Sequence, residues 1–195
     1  MESLDEQLLD QQLLDQQLLD QQLLQTIHRN CYHMTKDLIK KLILKGADVN
    51  YHDKHNLNTS LTLGVAYQNY DLCKLLVENG ANVNQLNRYG NTLLMSCVGG
   101  YVPSRDIALM KLLLESGADA DLVNKDGETA LMIFKGYNKY YNLHLQDNVV
   151  ILEEHIEKKK LQKSKRRLAL SKLFYSKLGK NLVEEGLYEQ ISLLI

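Results

Sequence analysis

Gly80-Ala81-Asn82-Val83-Asn84 closes a short, mostly apolar stretch, Leu72-Cys73-Lys74-Leu75-Leu76-Val77, and this combination occurs three times. Gly46-Ala47-Asp48-Val49-Asn50 follows Leu38-Ile39-Lys40-Lys41-Leu42-Ile43-Leu44. Gly117-Ala118-Asp119-Ala120-Asp121 follows Ala108-Leu109-Met110-Lys111-Leu112-Leu113-Leu114. The glycines stand 34 and then 37 residues apart. A long period of this kind marks supersecondary units that bury their apolar faces against one another. Each apolar stretch reads as a helix buried on most of its circumference. The Gly then takes the left-handed position after the helix end, and the Asp or Asn beyond it tightens a turn through its own backbone.

An earlier helix opens each unit. Thr59-Ser60-Leu61-Thr62, Thr92-Leu93-Leu94-Met95 and Thr129-Ala130-Leu131-Met132 are equivalent, and Gln25-Thr26-Ile27-His28 stands at the same distance ahead of Gly46. The Thr hydroxyl caps the first turn of its helix. Gly90 and Gly127 precede two of these threonines where a tight turn needs positive φ, and Leu57 stands at that place in the remaining unit. The register predicts a buried core of Leu61, Leu75, Leu76, Leu94, Leu112, Leu113 and Leu131.

The pattern resembles the ankyrin repeat over about residues 25–137: turn, helix, tight link, helix, Gly-Ala-Asp-Val-Asn, hairpin loop. Ser60, Leu93 and Ala130 replace the motif proline. The motif histidine survives as His28, and the third unit has a longer link, Gly99-Gly100-Tyr101-Val102-Pro103-Ser104. The resemblance implies an all-α solenoid with units at 25–50, 51–84 and 85–121, a partial unit at 122–142, and a helical C-terminal extension over 143–195. It also implies a non-enzymatic module that binds another protein through its hairpin tips and concave face. Carried over by position, that surface comprises Lys54, His55, Asn58, Ala66, Tyr67, Arg88, Tyr89, Asn91, Gly99, Gly100, Lys125, Asp126, Glu128, Gly136 and Tyr137. Arg88 and Tyr89 lead it, since Tyr and Arg are the residues most often found as hot spots.

The flanks differ in charge. The first 25 residues hold six acids and no base, whereas residues 135–180 hold twelve Lys or Arg against four acids, within a chain of net charge -1. Residues 6–24 repeat Leu-Leu-Asp-Gln-Gln. A period of five advances about 140° per copy on a helix, so the leucines spread around the circumference and form no single stripe. This tract, residues 1–24, reads as low-complexity helix or disorder, with residues 1–22 touching the repeats little and the last copy capping the first unit. At the other end, Lys158, Lys159, Lys160, Lys163, Lys165, Arg166 and Arg167 form a basic run on a helix that Gly179 closes, and Leu187, Ile191, Leu194 and Ile195 suggest one more short helix. The basic run is either a solvated face paired with Glu153, Glu154 and Glu157 or a contact for nucleic acid or anionic membrane. No aromatic is interleaved for base stacking. That makes an adaptor with a basic tail the second functional reading, and a degenerate array without a strong partner the third.

Catalytic and metal chemistry have little to stand on in the sequence. His52-x-x-His55 with Asp53 falls at a hairpin tip and lacks a fourth ligand nearby, and His28, Cys31 and His33 fall on one helix where His28 is the motif residue. There is no G-x-S-x-G, G-x-x-x-x-G-K-[ST], H-E-x-x-H or C-x-x-C. The expectation is no cofactor, no enzyme activity and a monomer that binds an unidentified protein. Three scattered cysteines, no signal peptide and no apolar run near the ~20 residues of a membrane span point to a reducing, intracellular compartment. Tyr137, Tyr140 and Tyr141 read equally as the end of a binding groove or the last layer of core.

Overall fold

The computed structural model describes residues 4–29, 36–52, 57–87, 89–97, 103–141 and 146–178. The chain divides into two compact units, Met1–Ile151 and Leu152–Ile195. The first is an all-α repeat solenoid; among the described residues the extended backbone is limited to single bridges, His52 to Thr59, Leu86 to Thr92 and Val123 to Thr129, which close the hairpins. Its helices run α1 (Leu4–Arg29), α2 (Lys36–Leu44), α3 (Ser60–Ala66), α4 (Tyr70–Glu78), α5 (Leu93–Ser96), α6 (Pro103–Glu115) and α7 (Ala130–Tyr141), followed by the start of α8 (Gln146–Leu178). Helices pair within units, α1 with α2, α3 with α4 and α5 with α6. They also stack between units, α1 on α3, α3 on α5, α5 on α7 and α4 on α6.

Local chemistry explains several of the boundaries. Thr59 Oγ1 accepts from Thr62 N at 3.2 Å while Thr59 N donates to Thr62 Oγ1 at 2.7 Å, a reciprocal cap. Thr92 caps α5 through Met95 N at 3.2 Å, and its own N–H donates to the Met95 sulfur at 3.4 Å. Thr129 accepts from Met132 N at 3.3 Å. Each second helix ends on its glycine: Ala47 N, Ala81 N and Ala118 N reach back to Leu42 O, Leu76 O and Leu113 O at 3.1, 3.0 and 2.9 Å. That closure needs positive φ at Gly46, Gly80 and Gly117, which they show. In the hairpins Gly90 and Gly127 also have positive φ, and Leu57 takes the same conformation at φ 54 with a side chain that disfavours it.

Leu61, Leu75, Leu76, Leu94 and Leu113 are buried as expected, with Ile27, Met110 and Phe134 beside them in the core. Leu112 and Leu131 are only half-buried. Leu112 stands between exposed Lys111 and buried Leu113, and Leu131 between buried Ala130 and exposed Met132, so each sits at the edge of its helix's buried face.

Between units runs a ladder of side-chain bonds. Asn50 donates from Nδ2 to Gly80 O at 3.1 Å and accepts at Oδ1 from Asn82 N at 2.7 Å. Asn84 repeats both bonds one unit on, to Gly117 O at 3.2 Å and from Asp119 N at 2.8 Å. At the first unit α1 makes the same pair of bonds with two residues. Gln16 Nε2 donates to Gly46 O at 2.9 Å, and Asp20 Oδ1 accepts from Asp48 N at 2.7 Å. Gln16 and Asp20 are themselves joined at 2.8 Å. Asp20, Leu23 and Ile27 are buried. The Leu-Leu-Asp-Gln-Gln tract therefore does more than the sequence suggested: from Gln16 of its second copy onward it is docked on the stack, and residues 16–20 are not the near-contactless segment expected of 1–22.

Candidate recognition groove

Two hairpins and two helices build a hollow on one side of the third and fourth units. Asn87 Oδ1 accepts from Tyr89 N at 2.9 Å and Asn91 N at 3.0 Å. One hairpin later, Asn124 Oδ1 accepts from Asp126 N at 3.0 Å and Glu128 N at 2.9 Å. A short polar side chain in each loop thus fixes the tip backbone from inside. The hairpins are also tied together: Asn124 Nδ2 donates to Asn91 Oδ1 at 3.1 Å, and the Lys125 stem lies where a Cβ on Gly90 would sit, 2.8 Å from Lys125 Cγ. Glycine at that place is required twice, by its positive φ and by the close lysine.

The hollow has a volume of about 520 Å3. Tyr89 and Asn91 line it from one hairpin, Asn124, Asp126 and Glu128 from the next, Met95 and Ser96 from α5, and Met132, Ile133, Gly136 and Tyr137 from α7. Tyr89, Met132 and Tyr137 are large, apolar-bodied and exposed. The helices supply the floor and the hairpin tips the rim, so aromatic and carboxylate groups surround an open, non-enclosed space. This geometry suits a side chain or loop of another macromolecule better than chemistry on a small molecule.

The structure brings Tyr89, Asn91, Asp126, Glu128, Gly136 and Tyr137 of the sequence-derived surface into this one hollow. Asn58 instead lines a separate one of about 410 Å3, with Gln21, Leu24, Gln25 and His28 of α1 and Tyr51 and Leu63. Tyr67 stands near it, its hydroxyl 3.2 Å from His28 Nδ1. Lys125 is exposed but lines neither hollow, and Ala66 is exposed at the end of α3. Lys54, His55, Arg88, Gly99 and Gly100 lie outside the described residues, as do Asp53, Cys31 and His33 of the metal readings. Among the described residues no cluster of three metal-ligating side chains occurs. Met95 and Met132 were missed although they hold the same register, three residues after Thr92 and Thr129, because an apolar residue there reads as core.

Lys158, Lys159, Lys160, Lys163, Lys165, Arg166 and Arg167 are all exposed on α8. Lys160 Nζ meets Glu157 Oε1 at 2.9 Å, a surface pair of little energetic weight. The expected segment from Leu187 to Ile195 lies outside the described residues. Among those described, no helix is long and apolar enough to cross a membrane. Cys73 and Cys97 are buried thiols.

Comparison with known proteins places these repeats. Residues 27–105 match the family model described as ankyrin repeats, three copies. A putative ankyrin repeat protein of Acanthamoeba polyphaga mimivirus is 40% identical over 65 residues, covering 31% of this chain and 40% of that protein. The nuclear factor NF-kappa-B p105 subunit of Gallus gallus is 33% identical over 73 residues, covering 35% of this chain and 7% of that protein. The chain thus spans less than half the length of either curated relative. Among solved structures, the crystal structure of the ankyrin repeat domain of Bcl-3 is similar at 28% identity and a TM-score of 0.46, covering 50% of this chain and 41% of that one.

Proposed function

We propose, from the ankyrin repeats this chain carries, that it is a non-enzymatic module that captures another protein in the groove between its second and third described hairpins. Ankyrin repeats are a general protein-interaction fold, and the finer statement concerns where on this chain the contact falls. The observation that supports it is convergence. Tyr89 and Tyr137 come from elements far apart in sequence and line one hollow, with Asp126 and Glu128 on its rim. Aromatic side chains of this kind contribute large contact area at low entropic cost. The hydrogen bonds of Asn87 and Asn124 hold the tips in place before a partner arrives, so little ordering opposes binding.

The test is affinity capture from cells of the native host with wild-type chain and with Tyr89→Ala plus Tyr137→Ala. Both side chains are exposed, so far-UV circular dichroism is expected to be unchanged. Loss of the captured protein supports the reading. Capture that survives the double variant and vanishes at moderate salt moves recognition to the basic helix instead.

A further inference from the structure

The helix α1 carries a seam that its five-residue repeat conceals. Leu9, Leu13, Gln16, Asp20, Leu23 and Ile27 are spaced four, three, four, three and four residues apart, so they share one face. The last three are buried in the stack. Leu9 and Leu13 continue the same line outward, and they are 66% and 59% exposed. The apolar seam is therefore longer than the surface that covers it. Its flanks carry Asp10, Gln12 and Gln17, with no cation.

The exposed part of α8 has the opposite charge. Leu161 and Leu168, 55% and 57% exposed, stand seven residues apart on one face. The positions flanking that line on both sides are Lys158, Lys160, Lys165 and Arg167. Glu157 offsets part of this charge, through Lys160. Flanking charges of this kind decide which helix pairs with which in two-stranded packing. Exposed lengths agree as well: residues 7–18 of α1 and 157–169 of α8 each extend about 18–20 Å at helical rise.

We propose that the exposed Leu9–Leu13 seam of α1 docks on the Leu161–Leu168 face of α8 in a second copy of this chain. Leucines pack in the seam, and Asp10 meets the cations beside it. The interface is heterologous, with different surfaces meeting, and it is small compared with stable complexes. Association is accordingly weak and sensitive to salt. This goes against the monomer expected from the sequence, and it is independent of what the groove binds.

Sedimentation velocity of the full chain at rising concentration tests it, at about 50 mM and about 500 mM salt, where screening differs several-fold. The expected result is a mass that grows with concentration at low salt and falls back to the monomer at high salt. Asp10→Lys with Gln12→Lys and Gln17→Lys should remain monomeric at low salt, and so should Lys165→Glu with Arg167→Glu. Mixing the two variants should restore association, because each supplies the sign the other now needs. All the altered residues are exposed, and circular dichroism checks that each variant is folded. A wild-type monomer at every concentration in low salt would overturn the proposal. So would association indifferent to both charge reversals, or variants that stay apart when mixed.

Discussion

Asp20 on α1 accepts the backbone N–H of Asp48 at 2.7 Å, the bond that Asn50 accepts from Asn82 at the same distance one unit later. With Gln16 supplying the donor that the carboxylate lacks, two side chains of a helix reproduce what one carboxamide does between hairpins. The Leu-Leu-Asp-Gln-Gln tract thus ends in a fitted N-terminal cap.

The cap makes the effect of truncation depend on where it is made. Removing residues 1–14 should shift the urea midpoint little, since Leu8, Leu9, Leu13 and Leu14 are exposed. Removing residues 1–22 deletes Gln16 and Asp20 and should cause a clear loss of stability. Asp20→Ala alone leaves the Asp48 N–H without its acceptor in a part-buried place and should cost about 1–3 kcal/mol. Equal midpoints for the two truncations would show that the cap bonds contribute nothing.

Leu57 invites improvement. It occupies at φ 54 the position that Gly90 and Gly127 fill in the next two hairpins. Leu57→Gly should stabilise the chain by about 1 kcal/mol, because a left-handed conformation strains a residue with a Cβ and not glycine. Thermal denaturation is the check; a lowered melting temperature would mean that the leucine side chain contributes more than its backbone costs.

Equivalent leucines should not be equal in energy. Leu94 is fully buried and Leu131, at the same register, is half-buried. Leu94→Ala should cost about 2–5 kcal/mol, as other buried leucines do. Leu131→Ala should cost clearly less, and chemical denaturation of the two variants side by side measures the difference.

Burial pushes the Cys73 thiol from its ordinary 9.0 up to about 12. The native state therefore holds that proton more tightly than the unfolded chain. The contribution to stability is full below pH 9 and is lost as pH rises from 9 towards 12. The urea midpoint should fall over that window, and less steeply in Cys73→Ala. Identical slopes would remove Cys73 from the account. At neutral pH the native thiol should resist alkylating reagents, since the thiolate is the reactive form.

What could be read from the sequence was whatever the backbone forces on residue type. A helix end that needs positive φ selects Gly46, Gly80 and Gly117, and a first turn that needs an acceptor selects Thr59, Thr92 and Thr129, so these recur and reveal the period. The groove was half legible. Tip residues such as Tyr89 and Asp126 follow from position, while Met95 and Met132 resemble core until the neighbouring hairpins show that they form its floor. The cap was not legible. A period of five offers every face of the helix equally, and only docking on Gly46 and Asp48 selects the line through Gln16, Asp20, Leu23 and Ile27. The half-burial of Leu112 was hidden for a related reason, since register identifies a position and not how far its neighbours cover it.

The side-chain ladder has a direction. Asn50 and Asn84 each reach forward with one donor and one acceptor, but Asp121, at the same place in the next unit, carries two acceptors and no donor. It can no longer hand a proton to a following glycine carbonyl, so the relay that clamps the earlier units stops there. An array coupled only between neighbours comes apart first where its coupling is weakest. Amide exchange should therefore advance inward from the fourth unit like an opening zip, with the segment held by Gln16 and Asp20 the last to let its protons go.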